Sequence, residues 1–569
     1  MSMPPTKRKR SRKACIPCHQ RKRKCDGDNP CATCTTYEYN CNYAAAAEVY
    51  APLPAKRASL AGGSSTTSRA GATPPSSGSP SQADRSPREA DGSSSKSPTL
   101  GAGASTAPAG ASAAMAFPHI LSEVLGSDSP SKTQSLAYNF GIRPDEASGA
   151  HVLLGTLISE ADLELFSGLY FSVLAPIGDL LDPKIYAQRC RDYYNGSAGT
   201  LIAFGAVAAG VAALGSFLSP NRHPREPDLV QYAKAILDDP ASMHMLGIDH
   251  IIAWAMRVLY LRATSRPINA WIASCTLMHL CEAIGLHKEE NISEMVALPG
   301  AGLVGHDADR LRRIFWISWA GHNLLSYEYD RSPVQFRAVT CQAIVPISGS
   351  VADQFVQIAH IIPAPNSPFR FECEPPTPRD ELFERIKALT KLQFTHPFLV
   401  VTKAELTFCF YRRIYQLKSG ISDDIIQLVI DSGNAAVDAA QQLATQGHLF
   451  WNVIGSVFQY TCVLLAMDRP AASIHIATAF KGLENLVKTA DTALTREALS
   501  MARHLLSLHT EKKRKELAQL EAVKTGYQIL QVQPDSEANA AMPDMGWAMD
   551  WEQFLVEPYL SMFGPDVQL

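Results

Sequence analysis

The sequence has no Lys or Arg after Lys524, no sustained alternation of apolar and polar residues, and only one long uncharged run, Leu201–Pro220. Without alternation, a sheet-based fold has no support in the pattern. The cation-free tail, where seven acids remain, is not built to meet a polyanion. The uncharged run is mostly Ala and Gly and poor in strongly inserting side chains. A helix buried on all sides by close neighbours is therefore expected there, and no membrane partner. Three catalytic signatures are also missing: the GxxxxGK[ST] phosphate loop, the GxSxG elbow and the HExxH pair. No apolar stretch follows the basic N-terminus, so no secretory signal is expected and a reducing compartment follows.

What is present is unevenly distributed. A formal net charge of -3 over 569 residues conceals ten Lys/Arg against three acids in residues 1–43. Of thirteen cysteines, six fall within 15–41; the other seven are scattered and expected to behave as small buried hydrophobes. Five zones follow: a basic arm at 1–13, a Cys-rich unit at 14–43, a linker at 44–135, a helical domain at 136–530 and a tail at 531–569. The linker is dominated by Ala, Ser, Pro and Gly, too polar and breaker-rich to offset its ordering entropy, so disorder is expected. Its Ser/Thr-Pro pairs at Thr73, Ser79, Ser86, Ser97 and Ser129 fit proline-directed phosphorylation and chance occurrence equally.

The clustered cysteines read Cys15-x2-Cys18-x6-Cys25-x5-Cys31-x2-Cys34-x6-Cys41, two copies of one C-x2-C-x6-C spacing. Cysteines two apart can close a chelate around a tetrahedral zinc. Two Zn2+ need eight ligand positions, which six sulfurs supply only if two bridge, and the pseudo-repeat points to Cys15 and Cys31. Six thiolates on two Zn2+ leave a formal -2. The unit has almost no apolar residues beyond Ile16, Tyr37, Tyr39 and Tyr43. Metal must hold it together, since structural zinc contributes on the order of 10–16 kcal/mol in finger peptides. A single zinc on four thiolates and a metal-buffering tail are the rival readings, and zinc stoichiometry separates them.

Residues 13–43 (KACIPCHQRKRKCDGDNPCATCTTYEYNCNY) resemble the fungal zinc binuclear cluster (Zn2Cys6) DNA-binding domain of the galactose-regulator type. The likeness covers the six cysteines, the basic run after the second and Pro30 before the fourth. It implies bridging by the first and fourth cysteines, in agreement with the repeat. Between Cys18 and Cys25, Arg21, Lys22, Arg23 and Lys24 extend what should be a short helix beginning near Cys15. At 100° per residue Arg21 and Lys24 share a face. A tip this small reaches two or three base pairs of double-stranded DNA, where Lys or Arg suits guanine O6 and N7. The resemblance implies Lys22 as main base reader beside Arg21, with Arg23 and Lys24 on phosphates, and a CGG-like triplet. His19 and Gln20 depart from the commoner start of that run. A solvated basic helix is the plainer reading. Lys7 to Lys13 (KRKRSRK) suits nuclear import and further phosphate contacts.

From 136 to 530 helical periodicity prevails, with Ser159 and Asp162 as a cap-like start and segments at 200–218, 250–264, 268–286, 308–328, 380–418, 424–446, 450–467 and 472–509. Ala270–Glu289, ending Gly285-Leu286-His287, and Arg310–Pro333 resemble the fungal-specific transcription factor domain (middle homology region). Asn323 and Asp330 stand where that family has Asp and Gly. The resemblance implies regulation rather than catalysis. His279, His287 and His322 read as structural histidines, and Phe315, Trp316 and Trp319 as core.

In the tail, Trp547, Trp551 and Phe554/Leu555 would share a helix face among acids, the pattern of an activation segment that recruits coactivators. A C-terminal helix docked on its own domain is the other reading. The expectation is therefore a small zinc-stabilised Zn2Cys6 DNA-binding domain and a large all-α regulatory domain, joined by a disordered linker. It would act in the nucleus as a zinc-dependent, sequence-specific RNA polymerase II activator and no enzyme. A repressor or scaffold with the same head, and a helical enzyme with a metal tail, are the alternatives. A homodimer and a small-molecule inducer are left open; 503–530 carries only two weak heptads and reads as a surface helix.

Overall fold

The structure, a computed structural model, describes residues 14–20, 25–36, 41, 121, 124–126, 152–197, 201–239, 246–297, 306–418 and 420–530. The basic arm, the cations at 21–24, nearly all of the linker, the start of the helical zone at 136–151 and the tail at 531–569 lie outside the described residues. The chain divides into two compact units, Met1–Ser97 and Pro98–Leu569.

Among its described residues the first unit has two one-turn helices, α1 (Ile16–Gln20) and α2 (Ala32–Thr36). The second is all-helical among its described residues. It begins with α3 (Glu160–Val173), α4 (Ala175–Gly178), α5 (Pro183–Asp192), α6 (Ile202–Leu218), α7 (Glu226–Leu237), α8 (Ile248–Thr264) and α9 (Pro267–Ala283). It continues with α10 (Glu289–Ala297), α11 (Ala308–Glu328), α12 (Ala352–His360), α13 (Pro378–Lys391) and α14 (Pro397–Gln416). It ends with α15 (Asp423–Thr445), α16 (Trp451–Met467), α17 (Pro470–Thr489) and α18 (Ala493–Leu530). Caps written in the sequence start many of these helices. The Ser159 hydroxyl accepts from the Asp162 amide at 3.1 Å and donates to its carboxylate at 2.7 Å. Asp182, Asp307 and Thr377 cap α5, α11 and α13 in the same way, and proline at the first position opens α9, α14 and α17.

Two long periodic segments are each two helices. The 380–418 segment breaks between Lys391 and Pro397, because a proline disfavours helical backbone in the residue before it. The 472–509 segment breaks at 490–492, where Thr492 and Thr495 exchange amide-to-hydroxyl hydrogen bonds of 3.0 and 3.2 Å and start α18 afresh. Periodicity is blind to both breaks, since each lies between apolar stripes of the same spacing.

Helix α6 is the uncharged run, and its neighbours α3, α7 and α8 pack around it. Among the described residues no helix is long and apolar enough to cross a membrane. Its small residues serve close packing on three sides. A Cβ at Gly205 would meet the Tyr232 hydroxyl, one at Gly210 the Met256 side chain, and one at Gly215 would overlap the Phe166 carbonyl oxygen. Gly215→Ala therefore forces two helix backbones apart. It is expected to destabilise the chain by about 3 kcal/mol, the upper end for overpacking, read as a lower urea midpoint at unchanged slope.

Helix α11 joins the two halves of the unit. It packs on α8, α9 and α10 to one side and on α12 and α14 to the other, while α13 to α18 pack largely among themselves. Phe315, Trp316 and Trp319 on α11 are core, as expected, with Trp316 edge-on to Trp319 and its indole N–H on the Gln342 carbonyl at 2.8 Å. Four of the scattered cysteines (Cys190, Cys281, Cys341, Cys409) are buried. Cys275 and Cys462 are only partly so, and Cys373 is exposed, against expectation, in an irregular segment before α13. Helix α18 packs through Ala498, Leu499, Ala502 and Leu505 and then leaves Leu517, Leu520 and Val523 exposed, the surface helix its weak heptads suggested.

Candidate metal centre

The two halves of the cysteine repeat fold alike. The His19 amide donates to the Cys15 carbonyl at 2.9 Å, and the Thr35 amide to the Cys31 carbonyl at 2.9 Å. Each half thus places its first cysteine at the start of a helical turn, where free amides favour a thiolate. The loop between the halves turns at Gly27, whose φ of 90° is left-handed. Just before it, the Asp26 carboxylate accepts from the Ala32 amide at 2.8 Å and the Asp28 amide at 3.1 Å. These bonds tie the loop to the first residue of α2 and hold the Asp26 carboxyl below the usual carboxylate range, the Ala32 amide first. Asp26 was not singled out from the sequence, although an Asp ahead of a helix is a capping signal.

Four of the sulfurs are buried (Cys15, Cys18, Cys31, Cys34), and Cys25 and Cys41 are partly so. None of the six is in a disulfide. They form two groups of four, Cys15/Cys18/Cys25/Cys31 and Cys15/Cys31/Cys34/Cys41, with the sulfurs of each group within 4.8 Å of one another. Cys15 and Cys31 belong to both, the bridging pair read from the repeat.

Zinc fits this set by length. A tetrahedron with Zn–S bonds of about 2.3 Å has edges near 3.8 Å. Within the groups the Sγ separations are 3.7 Å for Cys15–Cys31, 3.5 Å for Cys15–Cys34 and 3.6 Å for Cys18–Cys31. The pair on different centres, Cys18 and Cys34, lies 4.0 Å apart. Backbone amides of Cys34 and Cys31 donate to the sulfurs of Cys31 and Cys41, both at 3.3 Å, and so orient the ligands. Without metal these thiols divide: hydrogen bonds outweigh burial at Cys15 and Cys31 and lower them, while Cys18 and Cys34 resist ionisation. Burial first, and then the neighbouring Cys15 and Cys31, push the Cys18 thiol up to about 12, and Cys34 shifts the same way. Two divalent cations reverse that balance, because a coordinating thiol is deprotonated outright. The cysteines thus form a binuclear site for two Zn2+ ions. The cations at 21–24, which the sequence assigns to DNA, follow directly after α1 but lie outside the described residues.

Among the described residues of the helical unit the histidines do not come together as a site. The His322 Nε2 accepts from the Val334 amide at 2.8 Å, so its proton sits on Nδ1, which faces the Ser274 hydroxyl at 2.8 Å. Burial pulls its pKa down to about 4, and the ring is a neutral structural strut. His287 stacks on Phe336, and His279 is exposed beside Glu282. The Gly285-Leu286-His287 ending is a helix stop. Gly285 has φ 80°, Leu286 donates to the Cys281 carbonyl and Gly285 to that of Glu282, both at 3.0 Å. Asp330 likewise holds a left-handed φ of 51°, which explains a family preference for glycine there. Its carboxylate meets Arg413 at 3.0 Å. Asn323 is buried and donates to the Trp319 carbonyl at 2.8 Å.

Comparison with known proteins agrees with this geometry. Residues 13–48 match the model of the fungal Zn(2)-Cys(6) binuclear cluster domain. The chain is 37% identical over 525 residues to Protein RDR1 of Saccharomyces cerevisiae, covering 91% of this chain and 92% of that one. It is 29% identical over 514 residues to the transcription factor kojR of Aspergillus oryzae, covering 90% and 86%. A probable transcriptional repressor of Schizosaccharomyces pombe is 21% identical over 443 residues, 77% of this chain and 92% of its own. No solved structure matches the chain at a significant level. The zinc-cluster model at the N-terminus, with relatives over most of the chain that include a named transcription factor, marks a regulatory protein rather than an enzyme. The chain belongs to the fungal Zn2Cys6 binuclear-cluster family of DNA-binding transcription factors.

Proposed function

We propose that this chain is a nuclear regulator of RNA polymerase II transcription that reads CGG-like triplets through the basic run between Cys18 and Cys25 and activates its targets. The observation that carries this reading is the shared Cys15/Cys31 bridge. It anchors α1 at the zinc pair, so that the run immediately following, Arg21 to Lys24, leaves a rigid base. Lys22 reads guanine beside Arg21, Arg23 and Lys24 grip phosphates, and Lys7 to Lys13 adds phosphate contacts and a nuclear-import signal. Residues 14–43 form the reading head, and 44–135 connect it to the helical domain. The domain at 136–530 regulates, with room for a small-molecule inducer, and 531–569 contacts coactivators. A second copy bound at a neighbouring half-site fits the same head.

The expected result for Lys22→Ala is a loss of roughly 1–3 kcal/mol on a CGG duplex with little change on scrambled DNA, measured by titration at fixed salt. An equal loss on both would make Lys22 a phosphate clamp. A repressor with the same head is the second reading, favoured by the relative named as a probable transcriptional repressor. Fusing 531–569 to an unrelated DNA-binding domain decides between them, since an activator's tail raises reporter output and a repressor's does not.

A further inference from the structure

A cavity of about 130 Å3 lies inside the helical unit, between α8, α9, α11, α12, α14 and the first residue of α16. It sits where α11 joins the two halves. Most of its wall is apolar, with Leu277, Ile317 and Phe355 among the lining residues. Gly321 on α11 also lines it, and a Cβ there would meet nothing within 4 Å, so room is left where the helix could have carried a side chain.

One side of the cavity is polar. Arg262, Glu328 and Glu405 line it together with the Trp451 ring. Arg262 is already committed: it pairs with Glu328, donates to the Tyr329 hydroxyl at 2.9 Å and lies 5.1 Å from the Trp451 ring centroid. Arg412, the other nearby cation, donates to the Gln459 side chain at 2.6 Å and to the Cys409 sulfur at 3.1 Å. Glu405 has Asn452 beside it and, among the described residues, no ion pair. On α14 Glu405 lies between the buried Ala404 and Leu406, is itself only partly buried, and lines the cavity together with Leu406. Burial, and then Glu328, push its carboxyl well above the usual range against the pull of Arg262 and Arg412, so the acid stands protonated unless a closer cation offsets its burial.

We propose that this cavity binds a small apolar molecule with one ammonium head, its body against the apolar wall beneath Gly321 and its head at Glu405. A cavity near 150 Å3 accommodates benzene, so the occupant of this slightly smaller one has roughly six non-hydrogen atoms. The inference deepens the reading of the helical domain as a regulatory one, because an occupant at this junction braces both halves at once. It does not depend on DNA recognition.

The test is calorimetric titration of the intact zinc-loaded chain, without DNA, with cyclopentylamine, cyclopentane and butyrate. Cyclopentylamine is expected to bind one per chain and about tenfold or more tighter than cyclopentane, with no heat from butyrate, tenfold being the equilibrium change for about 1.4 kcal/mol. Glu405→Gln should bring cyclopentylamine to the level of cyclopentane and leave cyclopentane unchanged. Gly321→Met, which fills the cavity, should abolish binding of both while raising Tm. Silence from all three probes, equal affinity for amine and hydrocarbon, a preference for butyrate, or binding that survives Gly321→Met overturns the proposal. Parallel titration with a CGG duplex separates the two readings. Amine binding without CGG recognition sinks only the DNA assignment, and CGG recognition without amine binding sinks only this one.

Discussion

Cys15→Ser is expected to empty both metal positions, leaving well under one zinc per chain, where Cys41→Ser leaves about one. The difference follows from the shared ligands. Cys15 belongs to both groups of four, while Cys41 belongs to one. A structural zinc carries on the order of 10–16 kcal/mol of folding free energy in finger peptides, and a unit of this size has no core to replace it. Affinity for DNA should accordingly fall on the order of a hundredfold or more in Cys15→Ser, with a smaller loss in Cys41→Ser. Elemental analysis for zinc on the purified chain, beside DNA titration at fixed salt, reads both effects. Cys373→Ser, at an exposed cysteine far along the sequence, is the control and should change neither. Two zinc ions retained by Cys15→Ser would refute the bridging assignment.

The second large effect belongs to Arg313. Its side chain is only 1% exposed, yet it carries a full charge between α11 and the loop after α4. It donates to the Asp179 carboxylate at 3.1 Å, to Asp309 at 2.7 Å and to the Val345 carbonyl. Arg310 joins the same Asp179 at 2.6 Å. Removing one member of such a network leaves the remaining acids short of partners in a poorly solvated place. Arg313→Ala is therefore expected to destabilise the helical unit by about 3–5 kcal/mol. Arg313→Lys keeps the charge but loses the planar fork that reaches three acceptors at once, so it should recover only part of the loss. Urea unfolding followed by far-ultraviolet circular dichroism measures both. A change within about 0.5 kcal/mol, ordinary for a surface site, would show that the network contributes nothing to stability.

These two sites differ in how much the sequence reveals of them. The cysteine frame is local: six residues within a short span, repeated at one spacing, constrain the chelate and name the bridging pair before any coordinate is known. The helices are legible for a similar reason, since apolar spacing, caps and first-turn prolines act within a few residues of one another. The Ser159 cap and the buried helix in the Ala/Gly run at 201–220 are legible on that basis. The Arg313 network is not local. Its partner Asp179 lies 134 residues away, and a sequence of isolated charges gives no reason to join them. The landmark arginines around 310–313 could be recognised by resemblance, but their task of tying α11 to Asp179 and Glu289 could not. Asp26 falls between, a short-range cap overlooked beside the cysteines.

By itself the sequence determined the metal, its ligands, the helical class of the large domain and the place of most helices, because thiolate spacing and helical period are properties of neighbouring residues. Tertiary structure alone decided the splitting of two long segments, the buried ion network, the neutral state of His322 and the cavity that opens at Glu405. Each of these arises where helices remote in sequence meet, and there burial and partner choice, rather than residue type, set the energy of a charge.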